Sequence, residues 1–239
     1  MALWCPNLRR AAIDVPLGLR LCLRVALAGA LLQAPAVLAQ SGDSEAAQMP
    51  PAPPRTSDAV RKLAPAPLVA ELRRGGYLIY FRHTSTDFSQ NDARSRGFDD
   101  CANQRSLTDK GREEARAIGA AMRKLNLPID KVIASPLCRT METARLAFGN
   151  AQPVPAVRGA LGPVADPNRY RELKQLFATP YPRGANLVIA SHGNPFYGVA
   201  GPPYLAEGEG AVIRGLGNGD FEVVARIRLG DWQALDAAR

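Results

Sequence analysis

The chain of 239 residues holds two histidines, and each stands directly behind a short apolar run. Leu78 to Phe81 ends in Arg82-His83, and the run NLVIAS at 186–191 ends in His192-Gly193-Asn194. A third run, KVIA at 131–134, is followed by Ser135, Pro136 and then Arg139. Taken singly, a histidine or arginine in such a place is an ordinary solvated loop residue. If the three runs are parallel neighbours, both histidines, Arg82 and Arg139 converge beyond the strand carboxyl ends, where open α/β sheets bind ligands. That set suits phosphoryl transfer. A neutral imidazole nitrogen can attack phosphorus and form a phosphohistidine, provided an acceptor holds the other ring nitrogen. Two guanidinium groups stay charged, grip phosphate oxygens through paired hydrogen bonds and stabilise the charge of the transferring group. A protonated second histidine adds another donor. Such chemistry needs no metal and no cofactor. The carboxylates are not clustered, and the histidines and cysteines lack the short spacings of a zinc site.

The elements that must position these groups are legible in outline. A short helix is expected over Leu68 to Arg74, stopped by Gly75-Gly76, then a strand at Tyr77 to Phe81. Residues 87–103 are polar and without period, a long loop of the kind that often carries function. Thr108 reads as a helix N-cap with Glu113 and Glu114 close behind. Ala115, Ile118, Met122 and Leu125 follow at helical spacing. Strand 131–135, a helix over 137–148, a helix over Pro167 to Phe177 and strand 186–191 come next. The C-terminal part reads as a β-hairpin about Gly217-Asn218-Gly219. Buried strands alternating with amphipathic helices predict a three-layer α/β/α domain with a mostly parallel central sheet and a C-terminal β-hairpin.

Composition bounds the rest. With 46% hydrophobic and 22% charged residues, the chain can build one substantial core. The net charge of +8 contains no block of basic residues interleaved with aromatics, so nucleic acid is not an expected partner. Residues 1–39 read as a signal peptide: arginines, then the apolar run Val25 to Leu38, then VLAQ with Val37 and Ala39 in small-residue positions before a cut after Ala39. The alternative is an uncleaved anchor, for which the run is short and interrupted. Residues 40–65, with MPPAPP at 49–54, read as a flexible linker, and 66–239 as the catalytic domain. An exported chain, periplasmic or secreted and without stable membrane insertion, would keep Cys101 and Cys138. They are expected to bridge in an oxidising compartment, the alternative being two separate buried thiols. The oligomeric state has no sequence signature here.

RHT at 82–84, SPLCRTMETA at 135–144 and SHGN at 191–194 resemble the histidine phosphatase superfamily, the phosphoglycerate mutase-like fold, and most of all its phosphatase branch and exported bacterial-type members. The resemblance runs from about Gly76 to the C-terminus. It implies that His83 is the phosphorylated nucleophile and that Arg82, Arg139 and His192 form the phosphate pocket. LTDKGREEA at 107–115 is similar to the family's helix after the first loop, and DDCANQRSLT at 99–108 to exported members in which this cysteine pairs with the one before the pocket arginine. Thr84 stands where the family usually has glycine; it supplies a hydroxyl and is a candidate substrate contact. The general acid is open. Asp87 and Glu207 are candidates, with Glu209, Asp166, Glu172 and His192 itself as others. The expected activity is a metal-independent phosphomonoesterase of the histidine acid type, acting on a small phosphorylated substrate. The alternatives are a mutase-type phosphotransferase and a non-catalytic module that binds phosphorylated ligands.

Overall fold

A computed structural model describes residues 64–159, 166 and 168–237. The expected signal peptide, and the expected linker up to residue 63, lie outside the described residues. Helix α1 (Pro65–Arg74) leads into strand β1 (Leu78–Arg82) through Gly75 and Gly76, whose φ angles of 71° and 98° suit glycine. Helix α2 (Asp109–Lys124) is capped by Thr108, whose side chain accepts from the Gly111 amide. Strand β2 (Ile129–Ala134), helix α3 (Cys138–Phe148) and the two-residue strand β3 (Gln152–Pro153) follow. Then come α4 (Arg171–Ala178), β4 (Asn186–Ser191) and α5 (Gly193–Ala200). The hairpin β5 (Gly210–Gly217) and β6 (Asp220–Ile227) and the helix α6 (Asp231–Ala237) complete the described residues.

The six strands form one sheet in the order β3-β2-β4-β1-β5-β6. The four strands from β3 to β1 are parallel, and the hairpin joins β1 antiparallel. Every residue of β1 and β4 is buried, because helices cover both faces. On β1, Ile79 and Phe81 face the layer built by α1, α2 and α6 with Leu72, Met122 and Trp232. Leu78 and Tyr80 face the opposite layer, with Phe177 of α4 and Phe196 of α5. The period of two along the strand thus divides the core into two layers.

The mostly parallel three-layer architecture and the terminal hairpin agree with the sequence reading. Differences are local. The helix expected from Pro167 begins at Arg171, after a turn at 168–170, with Pro167 itself outside the described residues. Helices α5 and α6 and strand β3 were not foreseen.

Candidate active site

Parallel pairing levels the ends of three adjacent strands. Arg82 of β1 lies opposite Ser191 of β4, and Ala134 of β2 opposite Ala190. The ladders run one residue further, since the His83 amide donates to the Ser191 carbonyl at 2.9 Å and the Ser135 amide to the Ala190 carbonyl at 2.9 Å. His83, Ser135 and His192 therefore emerge side by side. The two imidazole rings stand 5.5 Å apart between centroids, inclined at 67°. Tyr80, one layer below, fixes this edge by donating its hydroxyl to the His192 carbonyl at 2.7 Å.

His83 is only 1% exposed. Its Nδ1 lies 3.0 Å from the Thr84 carbonyl, so Nδ1 carries the proton as the donor and Nε2 keeps its lone pair. Burial, then the Arg139 and Arg82 cations, hold the imidazole well below the usual histidine pKa. His192 is lowered likewise, by burial first and Arg139 next, and its Nε2 meets the Ser135 hydroxyl at 2.8 Å. Both rings are therefore neutral at neutral pH.

The cations come from separate elements. Arg82 ends β1, donates from Nη1 to the Leu205 carbonyl at 2.9 Å and lies over the Tyr204 ring. Its Nε is buried with no hydrogen-bond partner, a donor left over for an anion. Arg139 sits on the first turn of α3 with Nη1 at 3.0 and 2.9 Å from the two Asp92 oxygens. The start of α3 is tied to the long loop at two points: the disulfide Cys101–Cys138, with Cα atoms 5.6 Å apart, and Gln104. Gln104 accepts from the Cys138 amide at 2.9 Å and donates to the Gly97 and Phe98 carbonyls.

The turn after His83 is held as tightly. Thr84 is fully buried, and its amide and hydroxyl both lie 3.3 Å from the Thr143 hydroxyl of α3. The extra hydroxyl at this position thus helps to fasten the turn to α3. The Ser85 amide donates to Glu114 at 3.0 Å. Helix α2 approaches the turn so closely that a Cβ on Gly111 would lie 2.1 Å from the Ser85 carbonyl oxygen, which no side chain could occupy without displacing the turn.

Of the carboxylates considered in the sequence, Glu207 is the one brought to His83. Its Oε1 is 3.8 Å from Nδ1 and 3.7 Å from Arg82 Nη2, and it accepts from the Thr86 hydroxyl at 2.6 Å and the Thr86 amide at 3.2 Å. Asp87 turns away into Ser89, whose hydroxyl and amide lower its pKa. Glu209 is committed to Arg226 and the Ala206 amide, Asp166 accepts from the Asn168 amide, and Glu172 is exposed on α4. Sequence reasoning passed over Asp92 and Thr143. One lies in an aperiodic loop and the other on a helix face, so neither is marked by a strand end. Among the described residues no group of three or more His, Cys, Asp or Glu side chains is placed to hold a metal ion.

Comparison with curated proteins returns no match. Among solved structures, the protein histidine phosphatase SixA complexed with tungstate is 19% identical, covering 65% of this chain and 98% of its own, with a TM-score of 0.48. YhfR from Bacillus stearothermophilus is 18% identical, with coverage of 62% and 95% and a TM-score of 0.43. A phosphoserine phosphatase mutant from Entamoeba histolytica, in complex with phosphoserine, is 13% identical, with coverage of 63% and 95% and a TM-score of 0.43. Residues 78–160 match the family described as the histidine phosphatase superfamily (branch 1). That segment contains Arg82, His83 and Arg139, and over it the chain is similar to the histidine phosphatase superfamily.

Proposed function

We propose that the protein is a metal-independent phosphomonoesterase that works through a phosphohistidine on His83. One observation carries this reading. His83 is buried and neutral, its Nδ1 is fixed on the Thr84 carbonyl, and the two arginines beside it come from different elements, the end of β1 and the first turn of α3. That is the arrangement of a nucleophile prepared beside an anion site.

In the proposed reaction Arg82 and Arg139 bind the phosphoryl oxygens, and Asp92 yields its place on Arg139. His83 Nε2 attacks phosphorus in line, the P–O bond to the leaving oxygen breaks, and that oxygen takes a proton. Water then attacks phosphorus, the P–N bond breaks, and inorganic phosphate leaves neutral His83 behind. During the intermediate the ring bears positive charge, and Glu207 on its Nδ1 side offsets that charge. Asp87 is a poor proton source, because Ser89 favours its ionised form. His192 is the better one. Burial first, and then the nearby cations, lower its pKa, and a bound phosphate dianion would oppose the cations and so favour its protonation when the substrate arrives. Thr84 serves as a positioning residue through Thr143.

An exported chain, processed after Ala39, suits the disulfide beside the pocket. No helix among the described residues is long and apolar enough to cross a membrane. The mass of the exported protein tests this directly: a chain beginning at Gln40 supports processing, and one retaining residues 1–39 overturns it.

The activity is tested with phenyl phosphate in the presence of a chelator. The wild type should release phosphate, and His83→Ala should lower the rate by about a thousandfold or more. An inert wild type, or full activity in His83→Ala, overturns the proposal.

A further inference from the structure

Behind the phosphate pocket lies a second group of cations that the proposed hydrolysis does not use. Arg158 follows a short 3-10 turn, Pro155–Val157, whose last carbonyl accepts the Ser191 hydroxyl at 2.7 Å. Ser191 is the residue before His192, so this bond seats Arg158 against the catalytic edge of β4. On its other side Gly159, at φ 89°, packs so closely that an added Cβ would lie 2.4 Å from the Tyr170 ring. Arg158 is thus held from both neighbours. It is half-buried, and its guanidinium lies 5.8 Å from the centroid of the Phe98 ring. Among the described residues it makes no ion pair. Burial and the nearby Arg169 cation work against its charge and the Asp92 carboxylate offsets them in part, and a bound anion would relieve the remainder.

Arg158 lines a cavity of about 310 Å³ together with Arg169, Arg171 and Asn168, against the single acid Glu172. Phe98 and Pro155 border this cavity and also the neighbouring cleft that Arg139 lines, so the two lie side by side. From these contacts we infer that Arg158 anchors a second anionic subsite, and that the preferred substrate is a phosphomonoester carrying another anionic group, a carboxylate or second phosphate, in its leaving portion. This rests on the proposed phosphatase reading for the substrate's reacting phosphate, but the subsite is measurable without turnover.

The experiment measures affinity by calorimetry for paired phosphonates that differ only in a carboxylate: methylphosphonate and ethylphosphonate against phosphonoacetate and 3-phosphonopropionate. The full chain should bind at least one carboxylated member about tenfold more tightly than its uncharged counterpart. Arg158→Gln should bring that ratio close to one, and Arg158→Lys should leave it intermediate. Arg94→Gln, on the exposed loop, controls for net charge and should preserve the ratio. Equal affinities in the wild type, or a ratio that Arg158→Gln leaves intact, overturn the subsite. A ratio lowered equally by Arg94→Gln reduces the effect to general electrostatics and also overturns it. Phenyl phosphate turnover, run on the same preparation, separates the two ideas. Binding preference without any turnover retains the subsite and rejects the phosphatase; turnover without preference does the reverse.

Discussion

Glu207 and Asp87 look interchangeable in the sequence, two acids near a histidine, yet their surroundings assign them different work. Glu207 is held by Thr86 beside the Nδ1 edge of His83, where positive charge develops on phosphorylation. Asp87 is engaged with Ser89. Glu207→Gln should therefore lower kcat about ten- to a hundredfold, the range expected for losing one charged partner in a dry site. Asp87→Asn should change it little. Steady-state kinetics on phenyl phosphate decides, and a larger loss in Asp87→Asn than in Glu207→Gln would contradict this assignment. The convergence of His83, His192, Arg82 and Arg139 was legible because they follow strand ends, and strands buried on both faces announce themselves as apolar runs. Glu207, Asp92 and Arg158 were not legible in these roles. Each reaches the site from a loop whose path depends on the packed fold, and polar loop residues carry no period.

At the scale of elements, the site depends on where α3 begins. The Cys101–Cys138 bridge closes a separation of 37 residues and fastens the long loop to the turn that carries Arg139. By the chain-entropy account a loop of this length is worth about 4 kcal/mol. The Cys101→Ser, Cys138→Ser double variant should lose stability of that order in denaturant titrations and should bind inorganic phosphate less tightly, because Asp92 and Arg139 are no longer held in register. Unchanged denaturation midpoints would show that the bridge does not constrain the loop. The same scale shows why some elements escaped the sequence reading. Helix α5 opens with Gly193 and Pro195, residues that more often interrupt helices, and is retained here because Phe196 and Ala200 pack into the core. Strand β3 has only two residues and exists through its pairing with β2. The hairpin β5–β6, by contrast, was readable from Gly217-Asn218-Gly219, where Asn218 and Gly219 take the positive φ angles of 53° and 82° that its tight turn requires.

For the whole molecule, burying two neutral histidines couples stability to pH. Both have native pKa values lowered well below 6.5, so the unfolded chain takes up protons on acidification that the native state does not. The sign follows: their contribution is fully present above about pH 6.5 and is lost as pH falls toward the native values. Denaturant midpoints should be lower at pH 5 than at pH 7.5, and the difference should shrink in a His83→Asn, His192→Asn double variant. The same drop in wild type and double variant would place the acid sensitivity elsewhere. The lowered pKa also leaves His83 neutral over part of the acidic range in which an ordinary histidine is protonated.

The most direct test of the central claim is to trap the intermediate. The chain is mixed with a phosphate ester, quenched within milliseconds in base, and digested for mass spectrometry. Phosphate should appear on the peptide containing His83, stable in base and labile in acid, and be absent in His83→Ala. Turnover with no phosphate on that peptide, or phosphate found on another residue and persisting in His83→Ala, would contradict the account.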